Sequence, residues 1–259
     1  MKISAPRPDA GSRFADRLAA CFDGVTVEPP LADCQASIDR DGALLDRVLE
    51  SGRRGPSIRL WRNRDCLVVP RALTRDPAFA RAAETCPLPV VSRASGGTAV
   101  IHGPHIANVS IARPVEGHAL RRYYGPIVET LLPALRSLGL PVTVGPVAGA
   151  HCDGRFNLRI GRRKIGGTAA FVRTRRGQTA TLAHASITVE QRHDDLSIIE
   201  TFEHALGHGR LYDRDAHGSV GAALRGEEVR GEHGAGGGEG DAYWEADGAG
   251  TGETGQEWA

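Results

Sequence analysis

The chain has 259 residues, 41% of them apolar, and its 32 basic and 31 acidic residues leave a formal net charge of +1. This length and apolar content exclude a chain that is disordered throughout. The longest stretch without a formal charge, residues 94–112, contains glycine, proline, histidine and asparagine and predicts no membrane span. Because no secretory leader pattern follows Met1 and the five cysteines form no CxxC pair, we expect a cytoplasmic protein with reduced thiols.

The charge is distributed unevenly along the chain. Residues 218–259 carry nine acids and two bases, whereas residues 1–217 carry 30 bases and 22 acids. Thirteen of the last 42 residues are glycine, a composition that cannot bury enough apolar area to offset the entropy of ordering. We therefore predict a folded body of about 215 residues and a disordered, acidic, glycine-rich tail over 218–259.

Apolar periodicity and turn residues place the elements within the folded part. In chain order the pattern predicts a helix over residues 12–22, a helix over 41–50, strands at 57–61 and 66–70, and a helix over 74–85. Strands follow at 90–92, 98–102 and 108–113, then a helix over 118–138 and strands at 142–147 and 156–160. Residues 164–173 and 178–189 predict a hairpin across the turn 175–177, and Asp194 is expected to cap a helix through residue 206. This order predicts an α+β fold with a central mixed β-sheet flanked by helices.

A first candidate site lies in the segment Arg93-Ala-Ser-Gly-Gly-Thr-Ala-Val-Ile-His102. Gly96 and Gly97 stand between two strands, where they let the backbone approach a ligand and present amide donors. Arg93 is placed to meet an anionic or carbonyl group. The double glycine also suits a simple tight turn, and the histidine also suits a packed strand position. Both interpretations stay open on these residues alone.

A second candidate site contains Lys164, since Lys2 is the only other lysine of the chain. The sequence elsewhere uses arginine, so a lysine at this position indicates a site that requires a compact ammonium group. Gly166 and Gly167 follow it and again predict close approach of a ligand to the backbone. A lysine on a solvated turn remains the alternative.

These two segments together resemble the biotin/lipoate protein ligase catalytic domain family, on the side of lipoate-protein ligase A and the protein octanoyltransferases. The resemblance rests on Arg93-Ala-Ser-Gly-Gly-Thr-Ala-Val-Ile-His with Asn108-Val-Ser after it, and on Asn157-Leu-Arg-Ile-Gly-Arg-Arg-Lys164-Ile-Gly-Gly-Thr-Ala. Residues 58–61 and 184–187 are similar to an early and a late strand of that family. The resemblance covers about residues 40–205 in the family's order. It implies an N-terminal lead-in over residues 1–39 and a single catalytic domain over 40–212.

The resemblance also implies roles for individual residues. Lys164 would contact the acyl carbonyl or a phosphate, and Asn157 would lie near the nucleotide or the acyl head. The implied substrate-binding residues are Arg93, Ser95, Gly96, Gly97, Thr98, His102, Asn108, Asn157, Gly166, Gly167 and Thr168. The sequence departs from the family where Thr98 replaces a third glycine and where Ala170 replaces a glutamine. The common aspartate after His102 is also missing, and these departures weaken the implied nucleotide site more than the acyl site.

The segment around Cys152 indicates which branch of the family the chain resembles. The run Cys152-Asp-Gly-Arg-Phe-Asn-Leu158 is similar to the Cys-x-Gly-x-aromatic-Asp/Asn-Leu pattern of cysteine-dependent octanoyltransferases. A thiolate can accept an acyl group as a thioester and pass it to an amine, and nearby cations favour the thiolate. The candidate cations are Arg155, Arg162, Arg163 and Lys164. A buried, inert cysteine is the alternative. If this segment is an extended strand, His151 points to the opposite side and cannot serve as the base for Cys152.

The predicted function is therefore attachment of a lipoyl or octanoyl group to a lysine of a lipoyl-domain or glycine-cleavage-H-type acceptor, through an acyl thioester on Cys152. The expected partners are an acidic acceptor domain and, as donor, an acyl carrier protein or octanoylated protein. No tightly bound cofactor is expected. The first alternative is an ATP-dependent lipoate-protein ligase that forms a lipoyl-adenylate and uses ATP and Mg. The second is a non-catalytic member that binds an acyl group or a nucleotide.

Two further classes are disfavoured. A metal enzyme needs clustered ligands, but His204 and His208 are four residues apart without a HExxH pattern. Nucleic-acid binding is suggested by the basic residues of the first 217 positions. Their arginine pairs, at 53–54, 121–122, 162–163 and 175–176, are spread along the chain and accompany no binding motif. We expect neither a nucleic-acid partner nor a membrane partner.

Overall fold

A seven-stranded mixed sheet forms the centre of the molecule. The computed structural model describes residues 9–51, 55–115 and 120–227. The sheet order is β1-β2-β6-β10-β9-β8-β7, in which β1 and β2 are parallel and every other neighbouring pair is antiparallel. Its strands are β1 (Val27–Glu28), β2 (Ser57–Trp61), β6 (Ile106–Pro114), β7 (Thr143–Val144), β8 (Leu158–Ile160), β9 (Arg163–Arg175) and β10 (Gln178–Thr188).

A second, three-stranded sheet packs beside the first. It contains β3 (Cys66–Pro70) between β4 (Val90–Arg93) and β5 (Val100–His102). The described helices are α1 (Ala10–Ala19), α2 (Cys34–Ser51), α3 (Phe79–Thr85), α4 (Leu120–Pro126), α5 (Leu132–Ser137), α6 (Asp195–Ala205) and α7 (Val220–Leu224). The architecture confirms the predicted α+β fold with a mixed sheet flanked by helices. Within the described ranges, no helix combines the length and apolar character that crossing a bilayer requires.

Apolar side chains from both faces of the large sheet build separate parts of the core. One cluster joins α1 and α5 to the central strands, with Leu18, Ile111 and Leu135 fully buried. A second cluster packs α3 and α6 against the small sheet through Leu67 and Phe202. The small sheet is thereby held in place by α6, which also borders the cleft described below.

The hairpin of β9 and β10 follows the prediction closely. Gln178 pairs with Arg175, so the connection is a two-residue turn formed by Arg176 and Gly177. Both have positive φ, 50° and 77°, as a turn that matches the right-handed twist of the strands requires. The predicted hairpin is therefore confirmed, and its turn is one residue shorter than the predicted 175–177.

Two predicted helices are interrupted by proline. Pro77 forces Asp76 into an extended conformation with ψ 130°, so residues 71–75 form a 3₁₀ turn and α3 begins at Phe79. The predicted helix over 118–138 becomes α4, a π-helical turn Ile127–Leu131 and α5. Pro126 and Pro133 lack the amide hydrogen that a continuous α-helix needs at those positions. Residues 116–119 lie outside the described residues.

The predicted domain limits need correction at both ends. α1 lies inside the predicted lead-in, and α2 begins at Cys34, so a boundary at residue 40 cuts a helix. At the other end, residues 218–227 are not a disordered segment, because α7 packs Val220 fully buried against the core. The glycine and charge content was averaged over all 42 residues of the predicted tail, so it did not reveal the short helix at the start of that segment. Residues 228–259, the rest of the predicted tail, lie outside the described residues.

We expect Gly11→Ala to lower the free energy of unfolding by about 1 to 3 kcal/mol. A methyl group at Gly11 would lie 2.2 Å from the Pro104 carbonyl oxygen, and a backbone oxygen cannot move aside cheaply. The matched control is Gly42→Ala within α2, where the nearest atom is the flexible end of Arg173 at 3.6 Å. Helix propensity makes that control neutral or more stable by up to about 1 kcal/mol. Denaturant unfolding of both variants measures the difference, and equal stabilities would contradict the prediction.

Candidate active site

A cleft between the two sheets brings the two candidate segments together. The cleft is partly open to solvent, and the empty space within its outline is about 950 Å³ with the open part included. Nine residues that the sequence singled out line it: Arg93, Gly96, Gly97, Thr98, Cys152, Lys164, Gly166, Gly167 and Thr168. The remaining predicted residues, Ser95, His102, Asn108 and Asn157, lie behind its walls. Apolar side chains cover the part of the cleft next to α6, namely Val100, Ile101, Ile106, Leu196 and Ile199.

Arg93 fixes the conformation of the loop that contains Gly96 and Gly97, which we call the glycine loop. Its guanidinium donates to the backbone oxygens of Gly96 (2.7 Å), Thr98 (2.7 Å) and Val68 (3.0 Å), and to the Ser95 hydroxyl (3.1 Å). Burial lowers the pKa of Arg93 to about 10, so the group stays charged at neutral pH. The expectation that Arg93 meets a ligand's anionic or carbonyl group is corrected, because most of its N–H groups are used within the loop.

Gly97 is required by both conformation and space. Its φ of 98° lies in the region that favours glycine. A Cβ atom at this position would lie 3.0 Å from Arg93 Nη2 and 3.6 Å from the Cys152 sulfur. The glycine loop therefore passes directly over the thiol.

Cys152 lies in a tight turn and not in an extended strand. Its φ of 51° is in the left-handed region, which is costly for a residue with a Cβ. Two side chains hold this turn through its carbonyl groups. Lys164 Nζ donates to the oxygens of His151 (2.5 Å) and Cys152 (2.9 Å), and Asn157 Nδ2 donates to the Cys152 oxygen (3.1 Å). Asn157 therefore supports the turn from behind, which corrects its expected place beside a nucleotide or acyl head.

The charges around Cys152 favour its thiolate. Burial by itself raises the pKa of Cys152, but the Lys164 charge, hydrogen bonds from the Thr98 hydroxyl and amide, and the Arg93 charge together hold it below the usual 9.0. Burial also lowers the pKa of Lys164 to about 8, against the opposing effects of Cys152 and Asp153. Arg155, Arg162 and Arg163, which the sequence proposed as cations, are exposed on the surface. The thiol thus has a buried cation on each side.

His151 reaches the same site through Thr98. Its Nε2 lies 3.0 Å from the Thr98 hydroxyl, and its ring meets Tyr212 edge-on with centroids 5.1 Å apart. Burial and the Lys164 charge hold the pKa of His151 well below 6.5, so the ring is neutral at neutral pH. The turn removes the extended strand on which the expected direction of His151 depended, and the ring contacts Thr98; that His151 is a poor base for Cys152 stays a prediction. Thr98, where a glycine was expected, connects the two residues.

We expect Thr98→Val to raise the pKa of Cys152 by up to about one unit, because the variant keeps the shape but loses a hydrogen bond to a charged sulfur. The rate of alkylation by iodoacetamide, followed against pH at the Cys152 peptide, measures this pKa. Thr98→Ser retains the hydroxyl and serves as the matched control. If the alkylation rate of Thr98→Val had the same midpoint pH as that of wild type, the Thr98 hydroxyl would not stabilise the thiolate.

Ser95, His102 and Asn108 belong to a buried polar cluster behind the glycine loop. The Ser95 hydroxyl lies 2.7 Å from His184 Nε2. His102 Nε2 lies 3.1 Å from the Ser186 hydroxyl, which donates to Asn108 Oδ1 at 2.8 Å. Burial lowers the pKa of His102 to about 3, so it remains neutral in this cluster. We conclude that these residues support the loop and β10 behind the cleft wall.

The glycine pair after Lys164 serves two purposes. A Cβ atom at Gly166 would lie 2.9 Å from the Ser186 carbonyl oxygen, so the neighbouring strand requires this glycine. At Gly167 the Cβ atom would lie 3.6 Å from Lys164 Nζ, on the side of the cleft. Both glycines line the cleft, and the close neighbouring strand is a separate reason for glycine at position 166. Thr168 also lines the cleft, while its hydroxyl donates to the Phe156 oxygen at 2.7 Å.

The described part of the chain contains no group of three or more histidine, cysteine or acidic residues arranged to hold a metal ion. His204 lies in the last turn of α6 and His208 beyond its end, and both are exposed.

The sequence did not predict that residues 213–218 belong to the site. Within them, His217 and Gly218 line the cleft beside Lys164. The predicted limits left residues 213–217 outside the domain and put Gly218 in the tail, and no local pattern marks His217.

Comparisons with known proteins find relatives that match most of the described chain. The family model of the lipoyl protein ligase A/B catalytic domain matches residues 33–220. A protein of Cupriavidus necator described as uncharacterised is 37% identical over 203 residues, which are 70% of this chain and 78% of that protein. An octanoyl-GcvH:protein N-octanoyltransferase of Kyrpidia tusciae is 36% identical over 151 residues, 56% of this chain. The match spans about half of that relative, 51% of its length. The crystal structure of a lipoate-protein ligase A bound with ATP superposes with a TM-score of 0.51 at 20% identity, over 80% of this chain and 81% of that one.

Proposed function

Because the chain belongs to the lipoyl protein ligase A/B catalytic domain family, we propose that it transfers an octanoyl or lipoyl group to a lysine of an acceptor protein by way of a thioester on Cys152. The observation that carries this proposal is the position of the Cys152 sulfur, beneath the Gly97 backbone and close to the Lys164 ammonium, with a pKa below its usual value. A nucleophile of this kind divides one difficult acyl transfer into two easier ones.

The first half-reaction loads the enzyme. The Cys152 thiolate attacks the acyl carbonyl carbon of the donor, a carbon–sulfur bond forms, and the bond to the donor's leaving group breaks. The leaving group takes up one proton. The Lys164 ammonium stabilises the negative charge that develops on the carbonyl oxygen, because it is fixed beside the sulfur by its bonds to the two carbonyls of the turn.

The second half-reaction transfers the acyl group from Cys152 to the acceptor lysine. The neutral ε-amine of the acceptor lysine attacks the thioester carbon, an amide bond forms, and the carbon–sulfur bond breaks to return the thiolate. The amine loses one proton in this step. Because the thiolate is stabilised by Lys164, Thr98 and Arg93, it is a good leaving group as well as a nucleophile. The same electrostatic arrangement therefore serves both halves.

The cleft supports a medium-length acyl chain as the transferred group. Next to α6 it is lined by Val100, Ile101 and Leu196, whose burial against a hydrocarbon chain is favourable by about 0.8 kcal/mol per CH₂ group. The polar residues gather at Cys152 and Lys164, where the carbonyl must lie. One apolar part and one polar end suit a fatty acyl group or a lipoyl group.

A carrier or lipoyl domain suits the surface as donor and acceptor. The relative in Kyrpidia tusciae is named for an octanoylated GcvH donor, and we extend that donor class to this chain. Arg155, Arg162 and Arg163 are exposed near the Cys152 turn and β9, and residues 1–217 carry a net positive charge. An acidic acceptor domain would be attracted to this surface, which increases the association rate more than the affinity.

One set of reactions tests the proposal. Purified full-length chain is mixed with an octanoylated carrier protein in the absence of ATP, and its intact mass is measured. We expect an increase of one octanoyl group on Cys152, followed by its transfer when an acceptor domain is added. Modification of the acceptor only with free lipoate and ATP would favour the ligase alternative, which the ATP-bound structural neighbour represents. Acyl binding without any transfer would favour a non-catalytic binding protein.

A further inference from the structure

The segment after α6 returns to the cleft and forms its wall beside Lys164. We call residues 213–218 the return segment. The Asp213 amide donates to the Gly149 oxygen at 2.9 Å, on the loop that leads into the Cys152 turn. The Gly218 amide donates to the Lys164 oxygen at 2.8 Å, and His217 forms an isolated parallel bridge with Lys164. The return segment therefore joins the loop before the cysteine to the strand that carries the lysine.

His217 links the return segment to the cysteine turn by its two ring nitrogens. Its Nδ1 lies 2.9 Å from the Asp213 carbonyl oxygen, and its Nε2 lies 3.1 Å from the His151 amide nitrogen. A carbonyl oxygen can only accept, so Nδ1 carries the hydrogen and Nε2 accepts from the His151 N–H. The two partners fix one tautomer. Burial is the largest effect that holds the pKa of His217 below 6.5, so at neutral pH Nε2 keeps its lone pair.

The cysteine turn needs such a partner. A left-handed conformation is unfavourable for a non-glycine residue and persists only when the surrounding structure fixes it. Lys164 and Asn157 hold the carbonyl groups of the turn. His217 holds the peptide N–H of the residue before Cys152. The carbonyl groups of the turn are therefore held by Lys164 of β9 and by Asn157. Its peptide N–H is held by the return segment.

We propose that His217 is a positioning residue for Cys152 and that the return segment is an integral part of the active site. His217 acts by fixing the peptide between Ala150 and His151, which sets the direction of the Cys152 side chain toward Gly97 and Lys164. This inference rests on the proposed role of Cys152 as the nucleophile. It assigns a function to a segment that the sequence placed outside the catalytic domain.

Three variants of the full-length chain test the assignment. His217→Ala removes the acceptor for the His151 amide. His217→Gln retains one, because its amide oxygen can take the place of Nε2. His208→Ala is the matched control, since His208 lies beyond the end of α6 and is exposed. Two properties are measured: the kcat and KM of octanoyl transfer, from rates at varied donor concentration, and the pH dependence of Cys152 alkylation by iodoacetamide.

We expect His217→Ala to lower kcat about tenfold with little change in KM, because a misplaced nucleophile reacts slowly with substrates that still bind. The alkylation midpoint should move upward as the sulfur loses its fixed distance to Lys164 and Thr98. His217→Gln should restore both properties to within about threefold of wild type, and His208→Ala should leave both unchanged.

Two outcomes would overturn the assignment. One is an alanine variant with wild-type kcat and alkylation profile. The other is a glutamine variant as impaired as the alanine variant while both keep the wild-type melting temperature, since the hydrogen bond would then not be the cause. Failure of the proposed function itself is distinguishable, because in that case wild-type protein forms no octanoyl adduct while alkylation still reports the geometry of the turn.

Discussion

Replacing Cys152 with serine is expected to abolish the acyl-enzyme and to lower octanoyl transfer by about a thousandfold or more. The serine hydroxyl has nearly the same place in the turn, but its pKa is far too high for Lys164 and Thr98 to ionise it at neutral pH. Intact mass spectrometry after mixing with the octanoyl donor measures the adduct, and modification of the acceptor measures the transfer.

The matched control for this substitution is Cys86→Ser. Cys86 follows α3 and is not among the residues that line the cleft. Burial raises the pKa of Cys86 above its usual value, whereas the pKa of Cys152 lies below it. The control should load and transfer at wild-type rates. If Cys152→Ser transferred the acyl group at a rate near that of wild type, the thioester route would be wrong, and dependence of that rate on ATP would then indicate an adenylate.

Replacing Lys164 with methionine is expected to reduce transfer by about a hundredfold to a thousandfold. Methionine fills a similar volume but removes the ammonium that stabilises both the thiolate and the developing oxyanion. It also leaves the His151 and Cys152 carbonyls without their donor. The pKa of Cys152 should rise, because the strongest of the effects that lower it is lost while burial, which raises it, remains. Lys164→Arg should not restore activity, since a planar guanidinium does not fit the buried place of a compact ammonium.

The pH dependence of transfer gives an independent check on Lys164. The pKa of this lysine is about 8, so the ammonium is present below that pH and is lost as the pH rises through it. The wild-type rate should therefore decline as the pH rises above about 8. Lys2→Met is the matched control because it removes the only other lysine of the chain. A Lys164→Met variant with wild-type transfer would contradict the role of Lys164 in both half-reactions.

Several features of the fold followed from local sequence alone. The β9–β10 hairpin was predicted with a turn at 175–177, and the observed turn is the pair Arg176-Gly177 within that range. The strands Ser57–Trp61 and Cys66–Pro70 were predicted with their observed limits. The interrupted helices were predicted less well, because apolar spacing continues through Pro126 and Pro133 although the backbone hydrogen bonds do not.

The sequence by itself determined the family, the mixed sheet and the two segments that form the cleft, since glycine, lysine and cysteine at fixed spacing are properties of the chain. Only the tertiary structure decided what several of these residues do. Thr98 and His151 are 53 positions apart, and His151 and His217 are 66 apart. Such partners meet only after the sheets pack, and burial then shifts the pKa values of the groups that meet. The same packing committed the Arg93 guanidinium to its own loop, turned Cys152 toward Lys164, and brought His217 to the cleft from a segment with no local signal.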